Sequence, residues 1–259
     1  MSIEQKNSRY IAQTDSTNNR LKAMLATPQP PLDGYTLYTY YQTAGRGQQG
    51  NSWESEKDKN LLFSTVIYPT ELSVEHQFVI SQLIALALLR TLMPILGDNI
   101  KIKWPNDIYY ADKKLAGILV ENAISNGQIR WSVIGVGLNV NQERFLSDAP
   151  NPISMKQITG KEYDKEALLQ QILQELTTLR QLPHPQLAQQ YIDNLYRLGE
   201  WHRFIPTEVT AKPIAISSDT TNAFEAQIID VLTDGRIVLL DRKQQKSTYH
   251  FKQLRYVIP

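Results

Sequence analysis

The chain has 259 residues, of which 42% are hydrophobic and 20% charged, and its formal net charge is +1. This length fits one large domain with an appendage or two modest domains, and the composition is that of a folded globular protein. The charge balance excludes a general attraction to nucleic acid or acidic membranes, so a cationic site must be local. The absence of cysteine excludes disulfides, thiol nucleophiles and cysteine-ligated metals.

The N-terminal residues are polar and lack the apolar core of a signal sequence. The most apolar segment, residues 78–96, includes Ser81, Gln82, Arg90 and Pro94, so it is interrupted too often for a membrane span. We therefore expect a cytoplasmic protein without membrane contact. The four histidines are scattered and show no helical metal-ligand spacing, so no metal site is expected in the protein itself.

The first predicted helix follows a run of residues that favour helix N-termini: Asp15, Ser16, Thr17 and Asn18. A plain helix cap explains this run well. The helix ends at the proline-rich stretch 27–31, and a strand follows over residues 35–42. A glycine-rich loop, defined here as residues 43–53, therefore begins at the end of a strand.

The glycine-rich loop alternates Gly45, Gly47 and Gly50 with polar residues and Arg46, and it ends at Trp53. Glycine at this density does not favour helix or strand, but it lets backbone N–H groups come close to an anion. Glycine content alone favours a mobile surface loop. A binding site is favoured by further polar residues downstream, in residues 101–107 and 114–117.

The middle of the chain predicts one sheet with a buried helix beneath it. Residues 61–68 are a buried strand, and the helix from Ser73 to about Met93 is apolar nearly all round, as expected in a core. A strand over 100–104 and a hairpin over 108–121 follow, and a central strand spans 129–140. Gly135 and Gly137 share one face of that strand, which predicts close packing there.

The C-terminal part changes character near residue 201. An amphipathic helix over 165–182 and a shorter helix precede five predicted strands: residues 209–216, 224–232, 236–241, 247–251 and 254–258. Such short strands predict a small barrel. We therefore divide the chain into residues 1–200, a catalytic domain, and residues 201–259, a C-terminal β-barrel domain.

Four polar clusters stand out: residues 16–18, Gln42 with the glycine-rich loop, residues 103–107 and residues 114–117. Together they offer neutral hydrogen-bonding groups, backbone N–H groups and three cations, Arg46, Lys103 and Lys114. They contain no histidine, no cysteine and no Gly-x-Ser-x-Gly elbow, which disfavours acid–base hydrolysis and acyl-enzyme chemistry. The phosphate-binding Gly-x-x-x-x-Gly-Lys-Ser/Thr loop is also absent. The set suits phosphoryl or nucleotidyl transfer, in which the reactants supply the nucleophile and the protein supplies charge and position.

Four motifs, taken together and in order, resemble those of biotin protein ligases. They are Gln42-Thr43-Ala44-Gly45-Arg46-Gly47 with Gly50 and Trp53, Lys103-Trp104-Pro105-Asn106-Asp107, residues 114–121 and residues 134–140. The likeness covers residues 10–142 well. It implies an α+β fold, a mixed β-sheet with flanking helices like that of class II aminoacyl-tRNA synthetases, and a C-terminal SH3-like β-barrel.

The resemblance also implies a reaction. Biotin and ATP, with Mg²⁺ carried by the nucleotide, give biotinyl-5′-AMP and pyrophosphate, and a lysine of a biotin carboxyl carrier protein or domain then takes the biotin. The implied biotin-binding residues are Ser16, Thr17, Asn18, Gln42, Gly45, Arg46, Gly47, Gln48 and Lys114. The implied nucleotide-binding residues are Trp53, Lys103, Asn106 and Asn139. The implied catalytic residues are Lys114, Arg46 and Asp107, the last orienting the incoming amine unless it is only a turn residue.

Two other interpretations stay open at this stage: a lipoate or octanoate transferring enzyme of the same superfamily, and a non-catalytic biotin-binding module.

Many biotin protein ligases carry arginines where this chain has Gln48 and Gln49, so the glycine-rich loop of this chain has only one cation, Arg46. Because the Ser-Thr-Asn cluster begins at Ser16, we expect no N-terminal DNA-binding domain and no nucleic-acid partner. The sequence leaves open which carboxylase carrier is the acceptor and whether a homodimer forms.

Overall fold

A computed structural model describes residues 7–146, 151–207 and 222–258. Its larger sheet has seven strands in the order β1-β2-β3-β7-β6-β5-β4. Strands β1 and β2 pair in parallel and the other neighbours pair antiparallel, so the sheet is mixed. The strands are β1 Ser8–Tyr10, β2 Thr36–Thr39, β3 Leu61–Ile67, β4 Ile100–Lys103, β5 Asp107–Tyr110, β6 Lys113–Ser125 and β7 Gln128–Leu138.

Helices cover both faces of this sheet. The helices are α1 Thr17–Leu25, α2 Phe78–Leu96, α3 Met155–Thr159, α4 Lys165–Leu179 and α5 His184–Asp193. Helix α1 packs on β3 and β7 on one face, here called the α1 face. Helix α2 packs on the opposite face and against α4 and α5. The mixed α+β fold predicted from the sequence is thereby confirmed.

Helix α2 is the scaffold beneath the sheet. It was predicted to start at Ser73, but a short 3₁₀ turn, Val74–His76, comes first and the α-helix begins at Phe78. The helix is long and apolar enough to cross a membrane, yet 72% of its most apolar window is buried inside the protein. Ile84 and Leu88 have no exposed surface. Such burial is typical of a core helix.

The β6–β7 hairpin places the site. Its turn, Asn126 and Gly127, has positive φ at both residues, as the sequence predicted for a tight turn. In the register of β6 and β7, Gly117 lies opposite Gly137 and Leu119 lies opposite Gly135. Gly135 and Gly137 both face the α1 side of the sheet, next to these residues of β6. A side-chain-free strip thus opens at the centre of the sheet.

The C-terminal strands form a second sheet of five strands in the order β11-β10-β9-β8-β12. They are β8 Trp201–Pro206, β9 Phe224–Val231, β10 Ile237–Asp241, β11 Lys246–Tyr249 and β12 Leu254–Tyr256. Within residues 201–207 and 222–258, β11 and β12 are free edges, so this sheet is open where a closed barrel was expected. The predicted strand 209–216 lies outside the described residues, and β8 was not predicted.

The two sheets share one apolar cluster, which includes Phe78 of α2 and Tyr256 of β12. Trp104, 2% exposed, donates from Nε1 to the carbonyl oxygen of Gly235 at 2.8 Å. Phe78 packs so closely on Gly235 that a Cβ there would clash with its ring. The C-terminal sheet is therefore held against the end of β4 by direct core contacts.

Candidate active site

A small cavity on the α1 face lies where the N-terminus of α1, the glycine-rich loop and strands β6 and β7 meet. Eleven of the predicted site residues line it: Ser16, Thr17, Asn18, Gln42, Arg46, Gly47, Gln48, Trp53, Asn106, Asp107 and Lys114. They come from separate parts of the sequence, and the fold brings them to one place. The sequence-based grouping is therefore reproduced in space, and the role of each residue stays a prediction.

The N-terminus of α1 supplies a neutral polar wall. Ser16 begins the helix by its backbone conformation, but its side chain makes no capping hydrogen bond. Thr17 donates to Gln42 Oε1 from its backbone N at 2.7 Å and from Oγ1 at 3.1 Å. Ser16, Thr17 and Asn18 are each 3% exposed. A plain helix cap does not account for this wall, because the side chains face the cavity or its supports.

A polar chain continues from this wall across the sheet. Ser64 Oγ lies 2.7 Å from Thr17 Oγ1 and 2.5 Å from Asn18 Oδ1. Asn18 Nδ2 donates to Glu121 Oε2 at 2.8 Å. Asn18 fits there because Gly135 has no side chain, and a Cβ at that position would overlap the Asn18 amide. These hydrogen bonds fix the orientation of the Asn18 amide.

The glycine-rich loop is folded back on itself over the cavity. Trp53 donates its backbone N–H to the carbonyl oxygen of Gly45 at 2.9 Å, and Gly47 donates to that of Asn51 at 2.7 Å. Arg46 and Ser52 form an isolated antiparallel bridge, and a short 3₁₀ turn forms the tip. In the structure this segment is an irregular hairpin that lies across the site.

Trp53 fills much of the space under the loop. Its indole ring lies directly on Gly137 and Gly117, where an added Cβ would overlap the ring. The indole Nε1 is buried and has no hydrogen-bond partner. The remaining cavity holds about 60 Å³. Pockets that bury a small organic ligand commonly enclose ~300–1,000 Å³, so a ligand must displace part of this lining, and Trp53 is its largest member.

Lys114 is the cation at the floor of the cavity. Its Nζ lies 2.7 Å from Asp107 Oδ1, and the two side chains are 27% and 14% exposed. The pair is a close approach of opposite charges rather than a well-aligned hydrogen bond, since Asp107 Oδ1 makes none. Lys114 Nζ also lies 5.6 Å from the centre of the Trp53 ring. An ammonium held this way can meet an incoming anion without leaving its carboxylate.

Arg46 is held at the rim of the cavity by Glu121, which also binds Lys22. Arg46 Nη1 lies 3.2 Å from Glu121 Oε1, and Lys22 Nζ lies 2.7 Å from the same oxygen. Burial acts to raise the pKa of Glu121, but hydrogen bonds from Lys22 and Asn18 and the charges of Lys22 and Arg46 bring that pKa below its ordinary value. Glu121 is therefore ionised near neutral pH.

Three predicted residues lie just outside the lining. Gly45 lies behind the loop against the backbone of Trp53. Asn139, 3% exposed, donates from Nδ2 to the carbonyl oxygen of Ile153 at 3.1 Å, while its Oδ1 is buried without a partner. Lys103 Nζ lies over the rings of Tyr109 and Tyr256, at 5.1 and 4.8 Å from their centres, and burial lowers its pKa.

Asn106 lines the cavity but also serves the sheet. Its Nδ2 donates to the carbonyl oxygen of Ile118 at 2.6 Å, and the backbone N–H of Ile118 donates back to the carbonyl oxygen of Asn106 at 2.9 Å. The residue thus ties β5 to β6 beside Lys114. Among the residues that the structure describes, no group of three or more His, Cys, Asp or Glu side chains could hold a metal ion.

Two residues of the site were missed from the sequence. Ser64 and the neighbouring Thr65 are polar residues in the middle of β3, whose residues are all buried, and a polar residue in an otherwise apolar buried strand was a usable signal. Glu121 ends the motif that begins at Lys114, and strand alternation places it on the same face as Gly117. That alternation could have identified Glu121.

Comparisons with known proteins identify related sequences and structures. The sequence pattern of the biotin/lipoate A/B protein ligase family matches residues 10–139, half of the chain. The chain belongs to this family. The assignment is the one the sequence motifs predicted, and the membership is supported by relatives whose identity exceeds 30%.

One relative is the biotin–[acetyl-CoA-carboxylase] ligase of Mycobacterium tuberculosis, 32% identical over 70% of this chain and 68% of that protein. Another is the bifunctional ligase/repressor BirA of Escherichia coli, 31% identical over 65% of this chain and 51% of that protein. The chain spans about half the length of the bifunctional ligase/repressors it matches.

Solved structures share the fold. Biotin protein ligase from Aquifex aeolicus in complex with biotin and ATP superposes with a TM-score of 0.76 at 22% identity, covering 98% of this chain and 100% of that chain. The Leishmania major enzyme in complex with biotinyl-5-AMP gives a TM-score of 0.64 at 19% identity, covering 95% and 99%. At these identities the structural similarity shows that this member of the biotin/lipoate A/B protein ligase family has the same fold as those two enzymes.

Proposed function

We propose that this protein is an AMP-forming biotin–protein ligase that modifies a biotin carboxyl carrier protein or domain. One observation carries the proposal: a single cavity joins a neutral polar wall at Thr17 and Gln42 to an ammonium at Lys114, under a glycine-rich loop. Biotin has the matching polarity, a neutral ureido ring at one end and a carboxylate at the other. The named relatives and the ligands of the Aquifex and Leishmania structures support the same substrates.

In the first step the biotin carboxylate oxygen attacks the α-phosphorus of ATP, and pyrophosphate leaves with Mg²⁺. The attack brings two anions together. Two like unit charges at 4 Å repel by about 4 kcal/mol at an effective dielectric constant of ~20. Lys114 and Arg46 are the cations that line the cavity and offset this repulsion. Trp53, Asn106 and Asn139 would border the nucleotide, with Lys103 a countercharge behind them.

In the second step the neutral amine of a carrier lysine attacks the acyl carbon of biotinyl-5′-AMP. An amide bond forms, the bond between the acyl carbon and AMP breaks, and the proton lost by the amine is released to solvent. Asp107 is the carboxylate placed to orient that amine, since it lies in the cavity lining beside Lys114. The mixed anhydride is sensitive to water, so a loop that closes over it protects it.

Biotin-dependent exchange of pyrophosphate into ATP tests the proposal. We expect exchange with biotin and none with lipoate or octanoate. Exchange with lipoate would reassign the protein within its family. If neither acid supports exchange, the protein would be a binding module. An acceptor assay with a carboxylase carrier domain then tests the second step. The cytoplasmic location, the SH3-like closure of the smaller sheet, the division at residue 200 and a homodimer stay predictions.

A further inference from the structure

The carboxylate of Glu121 binds two cations that come from different parts of the chain. Lys22 lies on α1, and Arg46 lies near the start of the glycine-rich loop. Both contact Glu121 Oε1, Lys22 at 2.7 Å and Arg46 at 3.2 Å. Arg46 Nη1 also donates to Asn19 Oδ1 at 2.8 Å. The group of Glu121, Lys22 and Arg46 therefore has a net charge of +1. If either cation moves away, the other still neutralises the Glu121 carboxylate.

Arg46 is the cation better placed to leave. Its side chain is 41% exposed, whereas that of Lys22 is 30% exposed and that of Glu121 is 22% exposed. Arg46 also has somewhere to go, because it lines the cavity in which an anionic ligand would sit. Once Arg46 has left, the Lys22–Glu121 pair remains neutral as a unit. Breaking a partly buried pair without such compensation would cost more.

Backbone and side-chain hydrogen bonds fix both ends of the loop, so movement concentrates between them. At one end Thr43 donates its backbone N–H to the carbonyl oxygen of Thr14 at 2.9 Å. Beyond the other end Glu56 donates its backbone N–H to Gln142 Oε1 at 2.9 Å, and Asn60 Nδ2 donates to the same oxygen at 2.5 Å. Within the described residues, the contacts of Arg46 with Glu121 and Asn19 are side-chain ties that hold the loop between these two anchors.

We propose that Glu121 holds Arg46 at the cavity rim in the ligand-free protein, and that Lys22 makes this hold reversible by keeping Glu121 neutralised when Arg46 turns to the ligand. Glu121 and Lys22 are thus positioning residues that act through Arg46. The inference rests on the proposed function only in naming the ligand, a carboxylic acid that becomes an acyl phosphate. The pairing itself is independent of the reaction.

The proposal gives the two positioning residues opposite effects on substrate affinity. In Glu121→Gln, Arg46 is free to turn inward while the new side-chain carbonyl oxygen still accepts from the Asn18 amide, so the KM for biotin falls two- to fivefold. In Lys22→Met, Arg46 alone neutralises Glu121 and is held more tightly, so the KM for biotin rises two- to fivefold. At about 1.36 kcal/mol per tenfold, these factors correspond to about 0.4–1 kcal/mol, which lies within the range for ion pairs near a protein surface. The kcat of exchange changes less than twofold in both.

The double variant and a control complete the kinetic test. With Glu121 replaced, the identity of residue 22 no longer matters, so the double variant matches Glu121→Gln. Arg20 is exposed on the same helix α1. Arg20→Met removes a cation from that helix away from the cavity and leaves the KM unchanged. If Glu121→Gln and Lys22→Met raised KM by similar factors, or if the double variant showed the sum of both effects, the proposal would be overturned.

Limited trypsin digestion tests the hold without any catalysis. Trypsin cleaves after arginine, and the peptide bond after Arg46 lies in the glycine-rich loop. We expect Glu121→Gln to speed this cleavage two- to fivefold in ligand-free protein and Lys22→Met to slow it, with cleavage after Lys57 as the internal reference. Equal cleavage rates in all variants would refute the hold. A missing exchange reaction with normal digestion results would refute the proposed function and leave the hold intact.

Discussion

Lys114→Met removes the ammonium at the cavity floor and keeps a flexible apolar stem against Trp53. Lys114 Nζ lies 2.7 Å from Asp107 Oδ1, and both side chains are less than a third exposed. An effective dielectric constant of ~20 therefore describes the site better than that of water. The variant leaves the Asp107 carboxylate facing the biotin carboxylate and ATP without its partner.

The magnitude follows from that charge arrangement. A unit charge at ~4 Å contributes about 4 kcal/mol at this dielectric constant. Since about 1.36 kcal/mol is tenfold in rate, the exchange rate of Lys114→Met should fall about a thousandfold. The fold should survive, because the side chain lies in a polar site and outside the apolar core.

Biotin-dependent ATP–pyrophosphate exchange measures the effect, with thermal unfolding as the check on folding. The matched control is Lys113→Met, which removes the same charge from the neighbouring exposed position of β6. We expect the control to keep its activity within twofold. A loss below tenfold in Lys114→Met would refute the electrostatic role assigned to Lys114.

Four further outcomes are expected. Gly137→Ala pushes the Trp53 ring aside, so tryptophan fluorescence changes while circular dichroism stays native; unchanged fluorescence would contradict the packing. Ile84→Ala, with no exposed surface in α2, should lower the free energy of unfolding by about 2–5 kcal/mol in urea. The lowered pKa of Glu121 means that its stabilisation is present above the ordinary value of 4.5 and disappears as pH falls through the folded-state value, so the stability difference between wild type and Glu121→Gln should shrink below pH 4.5. Because the glycine-rich loop has one cation, salt should accelerate release of the adenylate only weakly; a steep acceleration would show that Lys114 and backbone donors are not the main hold.

The sequence predicted the elements whose periodicity is strong. Strand β7 and its glycines followed from alternation, and the structure fills the strip above Gly135 and Gly137 with Asn18 and Trp53. Helix α4 followed from its apolar spacing and extends to Leu179. These features depend on local pattern, which a single sequence carries.

Other features depend on contacts that the sequence does not encode locally. Strand β8 has no strict alternation and is defined by its pairing with β9 and β12. Helix α3 has only five residues, so its capping box at Ser154 was the available signal. Lys103 was predicted to bind the nucleotide, but the sequence did not indicate that Tyr256 of the second sheet would lie against its ammonium. Only the packing of distant segments decides such positions.

The candidate site was predictable as a group because its residues belong to compact motifs. The sequence did not predict how Arg46 is held, because that depends on Glu121 lying two residues beyond Leu119 on the same face of β6. It also did not indicate that the Trp53 ring would lie against Gly117 and Gly137 in the cavity. Both features arise when the glycine-rich loop folds over the sheet.

A crystal structure with biotin and a non-hydrolysable ATP analogue tests the central claim most directly. We predict the ureido ring beside Thr17 and Gln42, the carboxylate within hydrogen-bond distance of Lys114 Nζ, and the Trp53 ring displaced from Gly137. Biotin bound away from Lys114, or bound with Trp53 still covering Gly137, would contradict the account.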